Sequence, residues 1–313
     1  MKLRPLGASG LLVSEIGLGG WQLVSQAWEM HDTNEALRIV RTALDGQCNF
    51  FDTAPGYGGG RSEILLGQAL GSCRSKVVLC TKFGHPANGP SDFSVPALRP
   101  SIESSMQRLQ TSYLDVLLVH NPPAEWLDGR RSGLYAELER LKEAGLLRSY
   151  GVSVDTRADM LTAMRSTGST VIEVLFNAFQ QDMLACFDEA RERGIGLIAK
   201  APLDSGWLSG KYRSDSRFVG VRERWSAAVI ARRAALVDQF SELLPPGVPI
   251  AQAALRYILA CPQVSTVIPG ARSAQQVLEN LEAADAPNLL DADVLKAIHA
   301  LWQREIEAAP LPW

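Results

Sequence analysis

Residues 76–120 read "KVVLCTKFGHPANGPSDFSVPALRPSIESSMQRLQTSYLDVLLVH". The run VVLC is short, apolar and unbroken, as in a strand buried on both faces. Residues 98–110 space their apolar side chains as a helix does, and 113–120 return to a second apolar run. Strand, helix and strand in that order argue for a parallel pair covered by helices.

The same alternation extends in both directions. Upstream, 14–21 and 49–54 read as strands, and 33–47 and 62–70 as helices. In the first helix Leu37, Val40 and Leu44 share a face, and a glycine, Gly46, stands near its end. Downstream, strands are expected at 148–154, 171–177, 195–203 and 264–271. Helices are expected at 133–145, 157–167, 182–194, 249–260 and 273–284. Leu134, Leu138 and Leu141 align on one of them, and Leu184 and Phe187 point inward on another. Eight strand-then-helix units in 313 residues predict an α/β fold, a closed (β/α)8 TIM barrel. An open doubly wound sheet would want a GxGxxG turn after an early strand, and "GLGGW" lacks that spacing. The opening "LRPLGASGLLV" reads as an N-terminal β-hairpin, and 291–306 as a C-terminal extra helix. Residues 204–248 read as a long polar loop at the functional end. No composition shift divides the chain, so a single domain over 1–313 is expected.

Bulk properties narrow the function. A net charge of −3 gives no electrostatic footprint for nucleic acid or an acidic membrane. No apolar run approaches a membrane span, and the N-terminus lacks a signal-peptide core. A cytoplasmic protein is expected. Its five scattered cysteines read as buried reduced thiols. The four histidines, His31, His85, His120 and His299, stand apart from one another and from the cysteines, so no metal site is expected.

Chemistry in a barrel sits where strands end. Asp52 ends the second strand, Tyr57 follows it in a glycine-rich loop, Lys82 ends the third and His120 the fourth. Singly, each has a plain reading: a turn cap, a loop aromatic, a solvated lysine, a core histidine. Together, at the ends of consecutive strands, they can converge on one mouth. A lysine ammonium beside a tyrosine stabilises the phenolate, so the Tyr57 pKa is expected to fall. Asp52 would hold Lys82, and His120 would orient a substrate oxygen. An acid–base tyrosine with no nucleophile points to proton delivery coupled to hydride transfer.

The stretches "FFDTAPGYGGGRSE", "TKFG", "RLQTSYLDVLLVHNP", "GLLRSYGVSV", "APLDSGWLSGKY" and "VIPGARSAQQVLEN" resemble the aldo-keto reductase family over essentially the whole chain. That resemblance implies an NADPH-dependent carbonyl reductase, with NADH possible. It implies Tyr57 as general acid/base, Asp52 and Lys82 as its tuning pair and His120 as substrate orienter. It also implies a cofactor site. Pro202, Leu203, Ser205, Gly206, Leu208 and Lys211 would cradle the pyrophosphate, Arg272 beside Gly270 would meet a ribose 2′-phosphate, and Gln276 and Asn280 the adenine. Ser153 would contact the nicotinamide carboxamide. Two positions depart from the family pattern. Val154 stands where an Asn is common, and Glu173 where a Gln is common. An ionised Glu173 accepts but cannot donate. It is left either neutral or paired with a cation that the sequence does not identify.

Trp21, Phe83, Asn121 and Trp126 are expected around the mouth, with Trp207 near the cofactor loop. Trp28 and Trp126 could equally pack loops. Such a lining suits a small carbonyl or sugar-like substrate. Two rival readings share the fold: a sugar or alcohol dehydrogenase running oxidatively, and a cofactor-binding regulatory subunit of the potassium-channel β type. The tail "AAPLPW" either folds over the site or hangs free.

Overall fold

The structure, a computed structural model, describes residues 1–24, 32–130, 132–285 and 290–312. Trp28 and His31 lie outside the described residues. The strands are β1 (Leu3–Pro5), β2 (Leu12–Ser14), β3 (Leu18–Gly19), β4 (Phe50–Asp52), β5 (Val78–Phe83), β6 (Leu114–His120), β7 (Leu147–Val154), β8 (Val171–Leu175), β9 (Gly196–Lys200) and β10 (Val264–Val267). β3 to β10 form one parallel sheet in chain order. Its two edges meet: Ile16 bridges Val267 in parallel, and the Gly17 and Gly19 amides donate to the Val267 and Pro269 carbonyls at 2.8 and 3.1 Å. This is the (β/α)8 barrel. The β1–β2 antiparallel hairpin lies at its N-terminal end, where the Ala8 amide donates to Gly194 at 2.6 Å.

Period-two alternation divides the apolar strand residues into two layers. Phe50, Val78, Cys80, Val116, Leu118, Val171 and Ile198 form an interior cluster with Leu6, Leu11 and Val13 of the hairpin. Phe51, Leu79, Phe83, Leu117, Val119, Val152, Ile172 and Leu197 belong to the larger cluster with the helices. Two residues beyond the last interior apolar position of β4, β5, β6, β8 and β9 stand Asp52, Lys82, His120, Glu173 and Lys200. Below them the interior is mainly apolar, with Ser149 and Thr266 buried in register with Val116 and Ile198. Gly151 is required on β7, because a Cβ there would come within 1.7 Å of the Val171 carbonyl oxygen.

The helix Thr33–Asp45 begins where the Asp32 side chain accepts from the Asn34 amide, satisfying a free N–H of the first turn. It buries Ala36, Ile39, Val40 and Ala43; Leu37 and Leu44 are only half-buried beside them. In Leu134–Glu143 the three aligned leucines are buried, each contributing about 1.5–3 kcal/mol. Residues 182–192 divide into a 3₁₀ turn, Asp182–Cys186, and a short helix, Phe187–Glu192. The extra C-terminal helix is Ala292–Trp302.

The expectation of a loop over 204–248 is corrected. Residues Ala227–Glu242 are a 16-residue helix capped by Ser226. Its buried face includes Ile230, Arg233, Ala234, Val237 and Phe240, so a buried arginine interrupts the apolar stripe. Among the described residues no helix is long and apolar enough to cross a membrane. The five cysteines are free, with Cys73 and Cys261 only half-buried.

Candidate active site

β4 delivers Asp52 to the barrel mouth, and the chain must then reverse into the helix Arg61–Leu70. Gly58, Gly59 and Gly60 carry φ of 60°, 64° and 86°, a run that side-chain-bearing residues would strain. The reversal is anchored by hydrogen bonds from Thr53 Oγ1 to Ser62 Oγ and from Ser62 Oγ to the Gly20 carbonyl, both 2.9 Å. Behind it, buried Glu63 accepts from Thr81 and Arg108 at 2.6 Å each. Tyr57 is thereby fixed over Lys82, whose Nζ lies 5.3 Å from the ring centre. Its ring meets that of His120 edge-on, with centroids 6.1 Å apart.

Lys82 is fully buried and donates to Asp52 Oδ1 and Oδ2 at 2.5 and 2.6 Å and to the Thr53 carbonyl at 3.1 Å. Glu173 Oε2 faces it at 3.4 Å. Burial works to lower the Lys82 pKa, but the Asp52 and Glu173 carboxylates override it and the net shift is upward. Lys82 is a fixed cation. Burial raises Asp52, and Glu173 adds to the rise against the pull of Lys82. Burial also acts to raise Glu173, yet Lys82 and Lys200 bring it below its usual range. The cation missing from the sequence reading of Glu173 is thus supplied by these two lysines.

The expected fall in the Tyr57 pKa is corrected. Burial pushes the hydroxyl upward, with Lys82 opposing and Asp52 and Glu173 adding to the rise. The side chain is half-buried overall, but its environment penalises the phenolate. Lys82 is the strongest charge acting on the hydroxyl, but burial outweighs it and the two carboxylates oppose it. Tyr57 is a proton carrier at neutral pH. His120 is held well below its ordinary range by burial first, then by Lys82, Lys200 and His85. It is a neutral imidazole, and its Nδ1 is buried without a hydrogen-bond partner.

The opposite wall centres on Lys200 at the end of β9. Its Nζ donates to Ser153 Oγ at 2.7 Å and to Asn121 Oδ1 at 3.1 Å, and pairs with Asp155 Oδ1 at 2.8 Å. Ser153 Oγ passes its proton toward Glu173 Oε1 at 2.8 Å. Asn121 Nδ2 donates to Asp155 Oδ2 at 2.8 Å. The chain then turns through Ala201, Asp204, Ser205 and Gly206 at φ of 50°, 47°, 54° and 94°. Asn177 holds this strained segment through the Ala201 carbonyl at 3.0 Å, and buried Arg233 grips Asp204. Arg233 also donates to the Pro312 carbonyl at 2.7 Å, and Leu311 is buried. The tail is packed behind the loop.

A cavity of about 470 Å³ joins the two walls. Of the expected residues, Trp21, Asp52, Tyr57, His120, Asn121, Glu173, Pro202, Leu203, Ser205, Gly206, Lys211, Gly270, Arg272, Gln276 and Asn280 line it. Lys82 and Ser153 are buried among the lining side chains, reached through Asp52 and Glu173. Phe83, Trp126 and Leu208 do not line it. Phe83 has the outward parity and packs edge-on against Phe93, Leu208 is fully buried, and Trp126 packs half-buried against the core. Trp207 is buried in an aromatic cluster with Tyr212, Phe218 and Trp225. Gln22, Asp155 and Lys200 line the cavity unforeseen. Gln22 lies so close over Gly270 that a Cβ there would fall within 1.9 Å of its Oε1. At the far end Ser273 Oγ accepts from the Gln276 amide at 3.2 Å, opening the helix Ala274–Asp285. Gln276 Oε1 accepts from the Arg272 amide at 2.9 Å.

The sequence model of the Aldo/keto reductase family matches residues 15–303. An uncharacterized oxidoreductase of Bacillus subtilis, YqkF, is 28% identical over 99% of both chains. The L-galactose dehydrogenase of Arabidopsis thaliana is 31% identical, covering 96% of this chain and 94% of its own. A probable voltage-gated potassium channel subunit beta of Oryza sativa is 30% identical over 97% of each. Among solved structures, the holo form of aldo-keto reductase AKR11C1 from Bacillus halodurans superposes with a TM-score of 0.81 at 28% identity, covering 96% of both chains. With the barrel, the hairpin and the family match in agreement, the chain belongs to the aldo/keto reductase family of oxidoreductases.

Proposed function

We propose that the protein reduces an aldehyde or ketone to an alcohol at the expense of NADPH, with NADH as a poorer donor. The observation that carries this reading is one wall on which Tyr57 lies over Lys82, Lys82 is fixed by Asp52 at 2.5 Å, and the His120 ring meets that of Tyr57 edge-on. Two features of the cavity support a bound dinucleotide. Glu173 Oε2 and His120 Nδ1 are buried without hydrogen-bond partners at one end, and Arg272, Gln276 and Asn280 line the other. Bound NAD(P)H supplies hydride to the carbonyl carbon. Tyr57 then donates its proton to the carbonyl oxygen. Lys82 stabilises the tyrosinate left behind, and Asp52 holds Lys82 in place. His120 donates a hydrogen bond that orients the oxygen. Ser153 and Glu173 position the nicotinamide, and Arg272 engages the 2′-phosphate through its planar guanidinium. A small neutral, hydroxylated carbonyl suits the polar mouth of Asn121, Asp155 and Lys200. The same groups run in reverse on an alcohol, and the likeness to L-galactose dehydrogenase supports testing that direction alongside.

The test uses cofactor deuterated at the transferable C4 position with a panel of carbonyl compounds. Deuterium is expected on the carbinol carbon of the product. Deuterium lost to solvent, or no turnover with any carbonyl or alcohol, contradicts the reading. In the same assays Arg272→Ala should weaken NADPH binding more than NADH binding, and equal weakening would remove Arg272 from the 2′-phosphate.

A further inference from the structure

Among the described residues, the charges around the cavity end at β4–β9 do not balance. Asp52 is matched by Lys82, and Asp155 by Lys200 at 2.8 Å. Glu173 is the third carboxylate, and it shares these same two lysines with the aspartates. Lys82 approaches it only at 3.4 Å, beyond hydrogen-bond contact at Oε2, and Lys200 reaches it only through Ser153. Of the other titratable groups described here, Tyr57, His120 and Cys80 are neutral at physiological pH, and His85 stands behind His120 with ring centroids 5.1 Å apart. Glu173 is nearly fully buried and lines the cavity. A buried carboxylate with one lone-pair face open to a cavity is a site for positive charge.

We propose that Glu173 reads the charge of the nicotinamide ring, favouring the oxidised, positively charged form over the reduced, neutral one. The proposal rests on the cofactor reading above. Through the same interaction Glu173 stabilises the positive charge that grows on the ring as hydride leaves, an electrostatic contribution fixed in place before reaction. A neutral amide at this position would hold the carboxamide equally well but would not distinguish the two redox states. Asp52 and Glu173 lie close, with acceptor atoms of Asp52, Cys80 and Glu173 within 4.8 Å of one another. Below neutral pH one proton between them cancels the surplus charge.

The experiment is calorimetric titration of the whole chain with NADP⁺ and with NADPH at about pH 8.5, well above the ordinary carboxylate range. It compares wild type, Glu173→Gln and Lys200→Met. Glu173→Gln should shift the ratio of the two dissociation constants by about tenfold toward NADPH, the effect of one partly screened charge. Lys200→Met should shift it toward NADP⁺, since a cation has been removed from the same wall. Opposite signs cannot come from general damage to the fold. A ratio unchanged in all three proteins, or moved the same way by both substitutions, overturns the proposal. If wild type binds neither cofactor form, the cofactor reading itself fails.

Discussion

Two buried aspartate–cation pairs flank the cavity and do different work. Asp52–Lys82 faces the cavity, with side-chain exposures of 3% and 0%. Asp204–Arg233 lies behind the strained 201–206 loop, with both side chains at 0%. Burying a pair is costly in either place, and losing one partner is costlier still. The cations decide the outcome. Lys82 carries a compact charge that Asp52 and Glu173 face and Tyr57 overlies. Arg233 spreads a planar, permanently charged fork over Asp204, the Pro312 carbonyl and the face of Trp225, 4.9 Å from its ring centre. An ammonium tunes a neighbouring proton, whereas a guanidinium ties segments together.

Removing each cation should therefore fail differently. Arg233→Met is expected to lose about 3–5 kcal/mol of unfolding free energy, the usual loss for a broken buried pair. Lys82→Met should lower turnover by about 10²–10⁴-fold, the range of a positioned acid–base group, in addition to a loss of stability that it shares with Arg233→Met. Urea denaturation and steady-state kinetics on both variants check this. Equal stability losses with equal turnover would erase the distinction.

Alkaline pH gives a smaller and more diffuse effect. Burial raises Tyr57, Tyr135 and Tyr257 above the ordinary tyrosine value. For a raised folded pKa, the stability contribution is intact below the unfolded pKa and is lost as pH rises through the folded one. Burial raises the Cys48, Cys80 and Cys261 thiols as well, so the urea midpoint should begin to fall at about pH 8.5, the ordinary thiol value, and fall further above about pH 10, the ordinary tyrosine value. The fall should appear in the Arg233→Met background as well. A midpoint that stays level from about pH 8 to about pH 11 would contradict the assignment.

The two walls also differ in how far the sequence exposes them. Asp52, Lys82 and His120 are legible because each ends a short apolar strand at the parity that faces the barrel interior. Lys200 follows the same rule two residues after Ile198, and counting parity along β9 finds it. Phe83 fails the rule, which is why it packs on Phe93 rather than at the mouth. The helix Ala227–Glu242 is obscured because Arg233 sits on its buried face and its partner lies 29 positions away, beyond any helical period. The rise in the Tyr57 pKa is likewise not local. It depends first on how deeply the fold buries the hydroxyl, and then on how Lys82, Asp52 and Glu173 act on it together.

The most direct test of the proton-delivery wall is Tyr57→Phe. NADPH binding should stay within about threefold of wild type and the unfolding free energy within about 1 kcal/mol, since one hydroxyl is removed. Turnover of the best carbonyl substrate should drop by at least about 10²-fold. Turnover within a factor of two of wild type, with binding retained, would contradict the account.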